Sequence, residues 1–252
     1  MKAARIVHAG LFALALLGLG CGRNANPLAT APDQDGALAG VSSNLVTLPF
    51  DAANFANPAA NPLFPLAPGT TYTYRGISKD GEERNVVEIT HRTKTIVGVA
   101  TIVVHDQVFL EDGSLAEDTF DWYAADKDGN VWYFGEDTKE YDHGTLVTTA
   151  GSWEAGKNGA RPGIIMLARP QAGDQYKQED SPGIVEDMAR VVSLDETLTV
   201  PAGTYAHCLK TREWTPIEPG NRSYKFYAPG VGLVLEIATR NGGERVELTH
   251  VD

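Results

Sequence analysis

The sequence predicts an all-β protein made of two tandem antiparallel meanders that form a curved sheet, a half-barrel or a packed pair. Three observations predict it. Short runs rich in β-branched and aromatic residues alternate with Gly and Asp/Asn turns. No long segment keeps a helical period. Trp122–Glu136, WYAADKDGNVWYFGE, is echoed near the C-terminus by Phe226–Glu236, FYAPGVGLVLE. Tyr123 and Tyr227 lie 104 positions apart. Carried back without a gap, that offset sets Gly69 and Tyr72 on Gly173 and Tyr176, Glu82 on Glu186, and Val87 on Val191. It also sets Thr93 and Thr95 on Thr197 and Thr199.

Taken in order, the chain opens with Lys2 and Arg5 before an apolar run, Ile6–Leu19, that ends at Gly18-Leu19-Gly20-Cys21. A run of this length and flank has the form of a signal peptide over residues 1–20. The Cys after small residues resembles a bacterial lipoprotein signal, with Gly18 where such signals usually carry Leu. That resemblance implies a lipid on Cys21 and attachment to the membrane through it. With Gly22 rather than Asp next, it implies the outer membrane of a Gram-negative cell. Ordinary secretion is the alternative if Cys21 is not lipidated.

Residues 21–62 follow, rich in Ala, Asn, Pro and Asp and poor in large apolar side chains outside Leu45–Phe50. Such composition buries too little surface to offset its ordering entropy, so it reads as a flexible tether. The first repeat spans 63–150. A connecting segment, Ser152–Ala172, and the second repeat fill 151–252. Expected strands are Thr71–Arg75, Val86–Arg92, Thr95–Val99, Ala100–His105, Gln107–Leu110, Thr119–Ala124 and Val131–Phe134. Asp80-Gly81, Asp112-Gly113 and Asp128-Gly129 supply turns, since Asp-Gly tolerates the positive φ of tight hairpins. The second repeat offers Arg190–Leu194, Thr197–Val200, Tyr205–Arg212, Ser223–Ala228, Leu233–Ile237 and Arg245–Thr249, with a turn at Asn241-Gly242-Gly243.

Charge excludes some functions. The formal net charge is −12, and loss of residues 1–20 removes two basic side chains and leaves −14. That argues against nucleic acid and against docking to anionic lipid. The two cysteines are Cys21 and Cys208. With Cys21 lipidated, no disulfide framework exists and the core stabilises itself.

Candidate chemistry is thin. Asp126, Asp128 and Asn130, with Glu136 and Asp137 nearby, offer alternating oxygens like the start of a calcium loop. The Gly and Glu of a full EF-hand loop are not at their positions, so a hairpin turn competes with a divalent-cation site. The acidic residues between Glu111 and Asp142 read as a solvated surface, with a divalent-cation site or a spatially assembled hydrolase pair as the alternatives. Histidines are isolated, and no Gly-x-Ser-x-Gly or phosphate loop is present. Adjacent His207 and Cys208 diverge if they lie on a strand. Trp122, Trp132, Phe134 and Trp153 are the candidate lining of a concave, ligand-accepting face, with core packing as their other use.

Val200-Pro201-Ala202-Gly203-Thr204-Tyr205, then Cys208, then Tyr227–Val234 (YAPGVGLV) resemble the signature of uncharacterised bacterial lipoproteins. The resemblance covers Val200–Glu236 and implies a β-rich envelope protein akin to half-barrel lipoprotein carriers. It brings no catalytic or ligand residue. The expectation is a protein that is not an enzyme, needs no cofactor, and binds a hydrophobic ligand or an envelope protein. If Cys21 is acylated, metabolic palmitate labelling appears in the wild type and disappears in Cys21→Ser. Unlabelled, soluble wild-type protein would establish ordinary secretion.

Overall fold

A computed structural model of the chain describes residues 44–79, 81–239 and 243–252. The signal peptide, Cys21, Asp80 of the first expected turn, and Asn241-Gly242 lie outside the described residues. The strands are β1 (Asn44–Leu45), β2 (Thr71–Ser78), β3 (Gly81–Ile96), β4 (Val99–Leu110), β5 (Leu115–Ala125), β6 (Val131–Asp142), β7 (Thr145–Thr148) and β8 (Trp153–Glu154). They continue as β9 (Gly163–Met166), β10 (Asp174–Lys177), β11 (Met188–Val200), β12 (Gly203–Trp214), β13 (Arg222–Ala228), β14 (Gly232–Ala238) and β15 (Glu244–Val251). Among the described residues, the one helical element is a 3-10 turn, Ala52–Phe55, capped by the Asp51 carboxylate.

All fifteen strands belong to one open sheet, ordered β1-β10-β11-β12-β13-β14-β15-β2-β3-β4-β5-β6-β7, with β8 and β9 also on β6. Every pairing is antiparallel except β1 with β10. The C-terminal strand β15 pairs with β2, from Arg245 opposite Ile77 to Val251 opposite Tyr72. Thr71 and Asp252 exchange backbone hydrogen bonds at the end of that ladder, at 3.0 and 2.9 Å. Strands β4 and β12 each hold 12 residues. Each is entered through a tight hairpin, Ile96 opposite Val99 in one and Val200 opposite Gly203 in the other.

Expected strands merge into longer ones. Val86–Arg92 is part of β3, and Ala100–His105 and Gln107–Leu110 are parts of β4. The expected strand Thr95–Val99 is instead broken after Ile96, where β3 ends, and only its last residue opens β4. The turn there is Val97-Gly98, at φ 42° and 85°. A β-branched residue rarely takes positive φ, so composition hid it. The segment expected to be a tether through Pro62 is packed from Asn44 onward. Phe50 and Phe55 lie edge-on against Trp132 and Phe134, with ring centroids 5.6–6.0 Å apart. Asn61 Nδ2 donates to the carbonyls of Gly129 and Leu167. Two aromatics and one asparagine outweigh the polar average of that stretch.

Strand β6 takes β5 on one side and β7, β8 and β9 in series on the other. Gly135 permits this. Its φ is +127°, and a Cβ there would lie 2.2 Å from the Trp153 carbonyl oxygen. Replacing Gly135 by Ala forces β8 off β6 and costs about 3 kcal/mol or more, through backbone strain and displaced backbone together. Gly113→Ala, with φ +83° and nothing within 4 Å, costs about 1 kcal/mol. Urea midpoints of the two variants check the difference.

Candidate functional site

Strand alternation sends Glu117, Thr119, Asp121 and Tyr123 of β5 to one side of the sheet. On β6 the positive φ at Gly135 breaks the alternation, and Tyr133 and Glu136 reach that same side. Tyr133 Oη lies 2.5 Å from Asp121 Oδ1 and 3.0 Å from Glu136 Oε2. Tyr123 Oη donates to Asp121 Oδ1 at 3.3 Å, and the two tyrosine rings stack at 4.5 Å. Trp153 closes over Tyr133 edge-on at 5.4 Å. Glu179, from the segment after β10, completes the cluster. Asp121, Glu136 and Glu179 are 1, 2 and 1 % exposed.

The Tyr133 hydroxyl carries one hydrogen for two carboxyl neighbours, so the arrangement is satisfied only when a carboxyl contributes its own proton. Asp121 Oδ2, Glu136 Oε1 and both oxygens of Glu179 have no hydrogen-bond partner. Burial, which penalises the charged form, pushes the Asp121 carboxyl up to about 7, against the Tyr133 and Tyr123 hydrogen bonds. Burial raises Glu136 well above the carboxylate range, and Asp121 and Glu117 add to the rise. Glu179 is raised in the same way by burial and then by Asp187, Glu136 and Asp121. Glu117 is pushed up to about 7, again by burial, despite the Thr119 hydroxyl that donates to it.

Beyond this cluster lies an ion pair of opposite logic. Lys225 on β13 stands in register with Glu236 on β14, as Asp121 stands with Glu136. Its Nζ lies 3.0 Å from Glu213 and 3.9 Å from Glu236. Burial alone would lower its pKa, but those two carboxylates outweigh burial and raise it. The Tyr227 and Thr211 hydroxyls donate to the same Glu213 oxygen.

The residues singled out from sequence are placed as follows. Trp122, Trp132, Phe134 and Trp153 are 6, 4, 0 and 5 % exposed. Trp132 and Phe134 are covered by Phe50 and Phe55, and the Lys94 ammonium lies 3.1 Å over the Trp122 ring. These four therefore serve packing in this structure. Asp126 Oδ1 accepts from the amides of Asp128 and Asn130, and Oδ2 accepts from Asn130 Nδ2 and Trp132 Nε1, each at 2.9 Å. That carboxylate organises its own hairpin, while Asp137 is exposed and paired with Lys139 and Glu136 is buried elsewhere. The five expected metal residues do not converge. Among the described residues, no group of three or more His, Cys, Asp or Glu is placed to hold a metal ion. His207 is exposed beside Asp195, and Cys208 is buried on the opposite side of the strand.

Sequence reasoning found Asp121 only as a member of an acidic stretch, and Glu136 as that and as a candidate metal residue. It missed their meeting, because strict alternation puts Tyr133 and Glu136 on opposite faces. It gave Glu179 no role.

A second feature is apolar. Tyr72, Tyr74, Val87, Ile89, Val104 and Tyr123 floor a crevice roofed by Phe64-Pro65 and by Val231-Gly232-Leu233. Its volume is about 30 Å³, room for one or two waters.

No family model matches the chain, and no curated protein matches it. Among solved structures, it is similar to a candidate lipoprotein from Parabacteroides distasonis ATCC 8503, with 13% identity and a TM-score of 0.43. It is also similar to a candidate exported protein with a YmcC-like fold from Bacteroides fragilis NCTC 9343, with 16% identity and a TM-score of 0.43. Each likeness covers 77% of this chain and 100% of the other.

The carboxyl cluster makes stability pH-dependent with a definite sign. Carboxyls raised on folding bind more protons in the native than in the unfolded state, so stability is fully present below the unfolded carboxylate range. It is lost as pH rises through the folded values, about 7 for Asp121 and Glu117. Unfolding free energy is expected to fall by about 2 kcal/mol or more between pH 5 and 8. Glu136→Gln flattens that fall. Urea titrations across this range check both.

Proposed function

We propose that this chain is a non-catalytic cell-envelope lipoprotein, anchored by a lipid on Cys21, that binds a hydrophobic ligand. The observation that carries the binding reading is the apolar crevice under Phe64, the concave place where side chains from β2, β3, β4, β5 and β14 converge. Ligand pockets are concave and mostly apolar, but hold about 300 Å³ or more. Occupation therefore requires the Phe64-Pro65 roof to lift, and a thin apolar chain is the ligand shape that fits.

The same reading takes the sheet as two copies of one meander joined through β15 and β2. Supporting it, β4 and β12 start 104 residues apart and are equal in length, and their hairpins keep one register. Tyr123 and Tyr227 lie near the ends of β5 and β13, both fully buried.

Two alternatives have an observation each. A protein partner is favoured by β7, the last strand of the sheet, whose Leu146 and Val147 are half exposed. An extended segment can add to such an edge. A hydrolase reading is favoured by the meeting of Asp121 and Glu136 across Tyr133. Those carboxyls lie beneath the surface, where a substrate reaches them only by opening the sheet.

A dansyl-labelled long-chain fatty acid tests the proposal. Saturable binding to the wild type is expected, at least tenfold weaker in Val231→Trp, which fills the mouth, and unchanged in Leu146→Trp. Absence of saturable binding, or indifference to Val231→Trp, refutes it.

A further inference from the structure

The two ends of the open sheet approach each other beside Glu179. At one end, β9 is hydrogen-bonded to β6. Its first residue, Gly163, is pressed against the other end, since a Cβ there would lie 2.0 Å from the Gln178 carbonyl oxygen. Two residues earlier, Arg161 N donates to the Asp180 carbonyl at 2.8 Å, and Arg161 Nε pairs with Asp180 Oδ2 at 2.6 Å. Residues 161–163 thus stand between β6 and residues 178–180 and close a seam. Exposed Arg161 and buried Gly163 bound that seam through Asp180 and Gln178. Glu179 lies between their two contacts and is turned inward, fully buried, with neither oxygen hydrogen-bonded.

The groups that face Glu179 come from four elements. Glu136 arrives from β6, Asp121 from β5, Lys225 from β13, and Asp187 from the segment that leads back into β11. Asp187 also accepts the Gln178 and Glu179 amides through its backbone carbonyl. Glu136 further faces Glu117 and Tyr133, and Asp121 faces Tyr123. Lys225 is the cation of this group, and its charge is already shared between Glu213 and Glu236. Like charges in a site without water repel far more strongly than on a surface.

We propose that this seam is a proton-controlled latch: it stays shut while Glu179 and Glu136 are neutral, and their ionisation drives residues 178–181 away from β6. Geometry confines the response. The contacts that would break are Arg161 to Asp180 and Gly163 against Gln178, while β2–β5 keep their ladders. Arg161 is largely exposed, so its ion pair gives little resistance. The direction in which burial moves both glutamates places the transition above the usual carboxylate range.

Amide hydrogen exchange on the full chain tests this, at pH 5.5 and 8.5 and corrected for intrinsic rates. Protection of the Arg161 amide and of residues 176–182 is expected to drop at least tenfold at the higher pH. Amides of β3 and β4 are expected to keep theirs. Glu179→Gln abolishes the difference. Should that variant not fold, Glu136→Gln is expected to reduce it, and carboxyl NMR of the wild type reads Glu179 directly. Equal protection at both pH values, the same drop in Glu179→Gln, or a Glu179 carboxyl that titrates like an exposed glutamate each overturns the latch.

Discussion

The pairing of β15 with β2 holds the molecule together. It joins residues near 250 to residues near 72 and makes one sheet out of two runs of hairpins. Without it each run would present a free edge and half of an apolar face, and the interior would have no second wall. The Tyr74 hydroxyl shows the dependence. It donates to the Leu233 carbonyl at 3.0 Å, across 159 residues of sequence. The crevice roofed by Val231-Gly232-Leu233 exists only because that hairpin is brought over strands from the other half. The carboxyl cluster likewise draws Asp121 and Glu136 from one half and Glu179 from the other.

The interior meets one problem in two ways. Register places Asp121 against Glu136 on β5–β6, and Lys225 against Glu236 on β13–β14. In the second pair an opposite charge balances the buried carboxylate. The first pair feels that same Lys225 only at a remove, its charge being engaged by Glu213 and Glu236, so protons must supply the balance. Burying charge costs several kcal/mol per ion even after relaxation. One corner of the core is therefore tied to the chemistry of the solvent, while its counterpart is balanced from within.

Much of the fold was legible in the sequence. Residues in every expected strand do lie in strands, and the positive φ of Gly113 and Gly129 marks turns that Asp-Gly announced. Val97-Gly98 was illegible because its first residue disfavours the conformation it adopts. Residues 50–61 were illegible because packing by Phe50, Phe55 and Asn61 is a long-range property that composition averages away. The site was less legible still. Asp126 read as a turn residue or a ligand, and four donors of its own hairpin occupy it. Glu179 looked like nothing, since its importance lies in what it is buried against.

Strand β1 decides where the beginning of the chain leaves the sheet. Asn44 pairs parallel with Asp174, and its side-chain amide donates to that carboxylate. The 23 residue-to-residue steps from Cys21 to Asn44 reach at most about 80 Å when fully drawn out. If Cys21 carries the proposed lipid, that span sets how far the β1 edge can stand from the bilayer. At full stretch the β1 edge is the part of the domain that faces the membrane. Surfaces farther than that span and the width of the domain are out of range. Under the proposed anchoring, distance is then a limit, separate from affinity, on what the crevice and the β7 edge would meet.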